Sequence, residues 1–309
     1  MKIQNENTSL FKMRSYAGCI KSAFTLAADN CRALLFGLVP YALLAALCLT
    51  LYLAAYAFAV IGNIGGTPSP MAEWSALAAY LCFCASFAFF MGRTFFLFRH
   101  FKSEGCIPRL GLLTSMSDTV RIALRSIPFL FLPLVIIAPG LPIPLQLLSW
   151  LPLSQPWTVQ TAIYTGLLLL LAVLVIGTLP LIYTSYIYMM DGGNLFRILP
   201  HSYREAFRHK GKLFATTFFS VLITALLAIL PLLSVILSFL AVFSNALGIL
   251  RSGDPSGLHA SAYILISFST LLSLTLLLLL YALIHLPLLY VYGSITVQEQ
   301  ERRVQQTAS

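Results

Sequence analysis

LFATTFFSVLITALLAILPLLSVILSFLAVFSNALGIL, running from Leu213 to Leu250, contains no Asp, Glu, Lys or Arg. A helix crosses the roughly 30 Å hydrocarbon core of a bilayer in about 20 residues. This stretch is long enough to span one and to run past its edge, so it must tilt or bend. Pro231 within it is a natural bend point, because proline removes a backbone donor.

Working outward, the same reading finds five more apolar stretches: Ala33–Ile61, Ala76–Phe98, Ile127–Leu153, Val159–Met190 and Ala260–Val297. The whole composition agrees. Hydrophobic residues are 59% of the 309 and charged residues 9%, with a mean hydropathy of +0.88. A soluble domain needs about 25% charge to keep its surface solvated. The expected class is therefore an all-α integral membrane protein with six transmembrane helices, forming a single transmembrane domain over 1–309.

The third stretch is the irregular one. Prolines at 128, 133, 139, 142, 144, 152 and 156 predict a helix to about Ala138. An extended or re-entrant segment is expected over 139–157, with Trp150 and Trp157 at the membrane–water interface. The N-terminus does not read as a secretory signal: residues 1–32 are polar and mixed, and the apolar run after them is about twice a signal peptide's hydrophobic region.

Orientation follows from the basic residues, which retain loops on the cytoplasmic side. The net charge is +9, from 19 Lys and Arg against 10 Asp and Glu. Every Lys and Arg except Arg251 falls in the N-terminal segment, the second-to-third connection with the helix end that holds Arg93, the fourth-to-fifth connection or the C-terminal tail. Both termini are thus expected in the cytoplasm, and the chain in the bacterial inner membrane. The charge sits beside spans as topology determinants do, so nucleic acid is not an expected partner. Anionic headgroups at the cytoplasmic face are, and the sequence names no protein partner.

Three cytoplasmic segments repeat one pattern: Lys21-Ser-Ala23-Phe24, Arg121-Ile-Ala123-Leu124 and Arg204-Glu-Ala206-Phe207. Each lies among apolar residues at helical spacing, which predicts amphipathic helices at the membrane surface over Met13–Ala28 and Leu195–Phe207. Pro180-Leu-Ile-Tyr183 and Pro287-Leu-Leu-Tyr290 echo one another near the ends of the fourth and sixth spans. The plan predicted is three units, about 10–98, 109–190 and 195–297, each an interfacial helix plus a two-span hairpin. A polar cytoplasmic tail, 298–309, follows.

The stretch from Pro180 to Leu227 has a span ending near Asp191-Gly192-Gly193, then Ser202-x4-Phe207, a basic cluster and a new apolar run. In these features it resembles a bacterial membrane-domain superfamily that includes the membrane region of some glycerophosphodiester phosphodiesterases and stand-alone relatives. The resemblance covers about 60 residues well. It implies a multi-span fold and a lipid-facing role. The chain has no phosphodiesterase catalytic domain, so that activity is not carried over.

No acid, base, nucleophile and metal set converges, so no catalytic, cofactor or metal residue is expected. Cys82 and Cys84, two apart on an apolar helix, face different ways. Ala206–Leu213 lacks the first glycine and final Ser/Thr of a phosphate-binding loop. No charged residue occupies the centre of a span, and Arg93 is placed to snorkel at a cytoplasmic end. His285, in Tyr281-x3-His285-x-Pro287, is the candidate functional residue within the spans. Its expected role is structural, satisfying a carbonyl freed by Pro287. Tyr183, Tyr186, Tyr188, Tyr290 and Tyr292 read as an interfacial aromatic belt. The expected function is a non-enzymatic scaffold or lipid-associated accessory role. The alternative is a transporter or lipid-translocating protein with a cavity between repeat units.

Overall fold

The computed structural model describes residues 9–64, 70–108, 115–140, 157–252 and 257–308. The described residues form eight α-helices: α1 (Tyr16–Asp29), α2 (Cys31–Ile64), α3 (Pro70–Glu104), α4 (Met116–Gly140), α5 (Trp157–Asp191), α6 (Leu195–Arg208), α7 (Lys210–Ser252) and α8 (Ala260–Ala308). In a lipid environment every backbone polar group needs an internal partner, and a helix supplies one within its own segment. Four stretches are long and apolar enough to cross a membrane: Cys31–Ile61, Pro70–Glu104, Lys210–Ile249 and Ala260–Thr307. The first, third and fourth carry Pro40, Pro231 and Pro287 without a break in the helix.

α4 ends at Gly140, near the expected stop, and the extended or re-entrant segment read over 139–157 falls mostly outside the described residues. α8 runs on to Ala308, so the segment read as a polar tail is the continuation of that helix. The helices that carry the basic-Ala motifs join the apolar runs differently along the chain. α1 meets α2 at Asn30, and α6 meets α7 at His209, whereas α4 carries Arg121, Ala123 and Leu124 in the same helix as its apolar run.

Contacts divide the chain into two compact units. The second unit comprises Ala23–Ala123 and Phe219–Leu286. Its core pairs α2 with α3: a Cβ at Gly37 would lie 3.1 Å from Leu97, and the Tyr52 and Tyr80 rings sit 5.4 Å apart. A Cβ at Gly92 would lie 2.6 Å from the Thr119 carbonyl. Glycine there lets the first turns of α4 close over α3.

Arg93, next to that glycine, is 0% exposed. The expectation that it snorkels is corrected. Its guanidinium lies over the Tyr41 ring at 5.5 Å and the Phe96 ring at 5.2 Å, where ring quadrupoles replace part of the lost hydration. In the same unit α7 and α8 touch through Ser234 and Ser269 (3.0 Å) and through Asn245, whose Nδ2 donates to the Tyr263 hydroxyl at 2.8 Å.

The first unit comprises Met1–Ser22, Leu124–Phe218 and Pro287–Ser309. Its N-terminal segment straps the end of α8. The Arg14 backbone N–H and the Lys212 ammonium both donate to the buried Ser294 hydroxyl, at 2.9 and 2.6 Å. Gly293 is needed because a Cβ there would lie 2.4 Å from the Leu10 carbonyl.

Candidate functional site

Three helices of the first unit each turn one stripe toward a common space. α5 contributes Tyr183, Ile187 and Asp191, four residues apart; α6 contributes Arg197, His201 and Glu205, again four apart; α8 contributes Tyr292, Thr296, Glu299, Gln300 and Arg303. Residues at this spacing share a helix face. The open cavity between them is about 420 Å³ and is completed by Ile198 and Ser202. That size suits a small ligand or a headgroup.

The α5–α6 turn sets the geometry. Gly192 and Gly193 have φ of 76° and 111°, a left-handed region that side chains disfavour. A Cβ at Gly192 would also lie 2.7 Å from the Arg125 guanidinium. Asn194 then caps α6, its side chain accepting from the Phe196 N–H at 3.0 Å, as asparagine does at a helix start. α6 is pinned back onto α5 where the Tyr203 hydroxyl donates to the Gly177 carbonyl at 3.0 Å, and where the Ser202 hydroxyl meets Thr184 Oγ1 at 3.0 Å.

Charges of both signs line the walls, and the carboxylates are held. Arg303 bonds Glu205, which is only 8% exposed. Glu299, 6% exposed, receives His209 Nε2 at 2.9 Å and the Arg208 guanidinium at 3.5 Å. The Tyr292 hydroxyl donates to Asp191 at 3.0 Å. Arg197, exposed on the first turn of α6, makes no ion pair among the described residues. The site therefore offers one uncommitted guanidinium above a wall of engaged carboxylates and tyrosines.

Four of the five tyrosines read as a belt correct that expectation, and Tyr188 is half-buried. Tyr183, Tyr186, Tyr290 and Tyr292 are all 3% exposed or less, so they pack inward instead of forming a lipid-facing belt. The Tyr183 and Tyr292 rings lie 6.0 Å apart, and both line the cavity.

His285 does not line this cavity. It lies on α8 in the second unit, partly covered, with its ring edge-on to Tyr281 at 5.0 Å and to Phe95 at 5.7 Å. The repeated motifs occupy matching environments. Lys21, Arg121 and Arg204 are exposed; Ala23, Ala123 and Ala206 are buried; Phe24, Leu124 and Phe207 are exposed. Pro180 and Pro287 are both buried, as are the tyrosines three residues after each.

The residues that sequence reading missed are Asp191, His201, Glu205, Glu299 and Arg303. The signal for those on α6 and α8 was the four-residue spacing of polar groups on α6 and on the last turns of α8; Asp191 ends α5. Among the described residues, no group of three or more His, Cys, Asp or Glu is placed to hold a metal ion. No protein-family model, curated protein or solved structure matches the chain.

Proposed function

We propose that this is a non-enzymatic, multi-pass protein of the bacterial inner membrane, with a lipid-associated scaffold or accessory role. The cavity bounded by α5, α6 and α8 receives a charged lipid headgroup. The observation that carries this reading is the pairing of that cavity with the outer face of α6. Phe196, 83% exposed, adjoins Arg197 in sequence, and Phe207 is 42% exposed. Tyr203 and Phe207 stack at 6.3 Å on the same face. α6 thus sets its polar stripe on the cavity and the exposed Phe196 and Phe207 on another face, the two-faced pattern expected of a helix at a membrane surface.

Six spans, cytoplasmic termini and a threefold repeat complete the reading. The matching environments of the three basic-Ala motifs and of the two proline–tyrosine motifs support the repeat. The lipid-facing role implied by the family resemblance points the same way.

Lipid binding to the purified, delipidated protein tests it by native mass spectrometry, with phosphatidylglycerol and phosphatidylethanolamine as probes. One basic residue near a membrane surface contributes about 1 kcal/mol toward anionic lipid, roughly fivefold in affinity. Arg197→Ala should lower phosphatidylglycerol binding by that factor, while Lys102→Ala on α3 leaves it unchanged. Equal losses in both variants would mean diffuse attraction to the surface, without a pocket. Flux across proteoliposomes that disappears with Arg197→Ala would make the protein a transporter instead.

A further inference from the structure

We propose that a groove in the second unit, walled by α2, α7 and α8, holds one hydrocarbon chain of a membrane lipid. The site is separate from the headgroup pocket and does not depend on it. Its space is about 190 Å³, and Ala57, Phe58, Ile61, Phe239, Val242 and Ile266 are among the apolar residues of its wall.

Length selects the occupant. Along α2 the lining runs from Thr50 to Ile61, and along α7 from Val235 to Val242. At a helical rise of about 1.5 Å per residue these are roughly 16 and 10 Å. Half of a hydrocarbon core roughly 30 Å thick is the depth of one lipid tail. All three wall helices lie in stretches apolar enough to span a membrane.

Polarity selects it further. The wall hydroxyls of Thr50 and Thr270 are turned back onto their own helices, donating to the Ala46 and Ile266 carbonyls at 2.8 Å each. Ser238 and Ser267 are the remaining small hydroxyls in the wall, and serine makes the same back-bond readily. A polar ligand would find few donors along the groove. Polar groups gather at one end instead. There Asn245 donates to the Tyr263 hydroxyl and accepts from the Leu258 N–H at 3.0 Å. A tail in the groove with its head beside Tyr263 satisfies both ends.

The test uses the full chain with Trp74, Trp150 and Trp157 changed to Phe, and one new tryptophan as reporter. Phe239→Trp reports the groove; Leu265→Trp reports bulk lipid, since Leu265 is 69% exposed and off the lining. Protein is reconstituted with phosphatidylglycerol brominated at mid-chain, which quenches tryptophan, then diluted into unbrominated dodecyl maltoside micelles. Tight sites differ from loose ones mainly in dissociation rate, so fluorescence at position 239 should recover roughly tenfold more slowly than at 265. Ala57→Phe, which fills the groove, should abolish the difference. Equal recovery at 239 and 265 overturns the proposal, and that comparison stands even where Ala57→Phe fails to fold.

Discussion

A guanidinium enclosed on all sides at Arg93 behaves differently from one that reaches the membrane edge. A snorkelling arginine is exchangeable with lysine, because both place a cation in water at the end of an apolar stem. Arg93 has no such outlet. It lies against Tyr41 and Phe96, and a planar, weakly hydrated cation suits two rings better than a compact ammonium does. A desolvated cation–π contact contributes up to about 2 kcal/mol. Arg93→Lys is therefore expected to destabilise by about 1–3 kcal/mol, more than Arg93→Met, which leaves no buried charge. Melting in mild detergent, followed by intrinsic fluorescence, gives the order. A lysine variant that melts with the parent would show that the rings do not hold this side chain.

Between elements, the ion pairs joining α6 to α8 carry the next expectation. Glu205 and Arg303 are 98 residues apart in sequence, and the Arg303 side chain is 59% exposed while that of Glu205 is 10%. The exposed partner is screened, so the pair is worth on the order of 1 kcal/mol. In a double-mutant cycle Glu205→Arg and Arg303→Glu should each lower the melting temperature. The double variant should recover a coupling of about 1 kcal/mol. Strictly additive losses would mean the contact holds nothing.

This part of the molecule was the least legible beforehand. Long apolar runs announce themselves because each must be continuous to cross lipid, and α2, α3, α7 and α8 follow them closely. Glu299 and Arg303 read as a solvated tail because composition cannot show a partner ninety residues away. The tyrosines were misplaced for a related reason. α5 is apolar on every side, so the pattern does not say which face packs inward.

At the scale of the whole molecule, the asymmetry of basic residues and the helical hairpins make one joint prediction about topology. In the second unit α2 and α3 pack as neighbours joined by the short segment 65–69, which places Arg99 and Lys102 of α3 at the end where α2 begins, beside Arg32. In the first unit Lys212, at the start of α7, meets Ser294 of α8, and His209 meets Glu299. The start of α7 and the end of α8 therefore share an end. Both hairpins gather Lys and Arg at their open ends and leave only Arg251 at a closed one. Cytoplasmic loops hold the excess of Lys and Arg in membrane proteins. Reporter fusions after Ser69 and Gly253 should then show the outer side, and those after Ser103, Gly211 and Ser309 the cytoplasm. The fusion after Ser103 and that after Gly211 are separated by α4 and α5. Their agreement requires these two helices to cross the membrane as a pair or not at all. An additional fusion within 141–156 separates the two cases: an outer signal there makes six spans, and a cytoplasmic one makes four. Opposite signals after Ser103 and Gly211 would remove both.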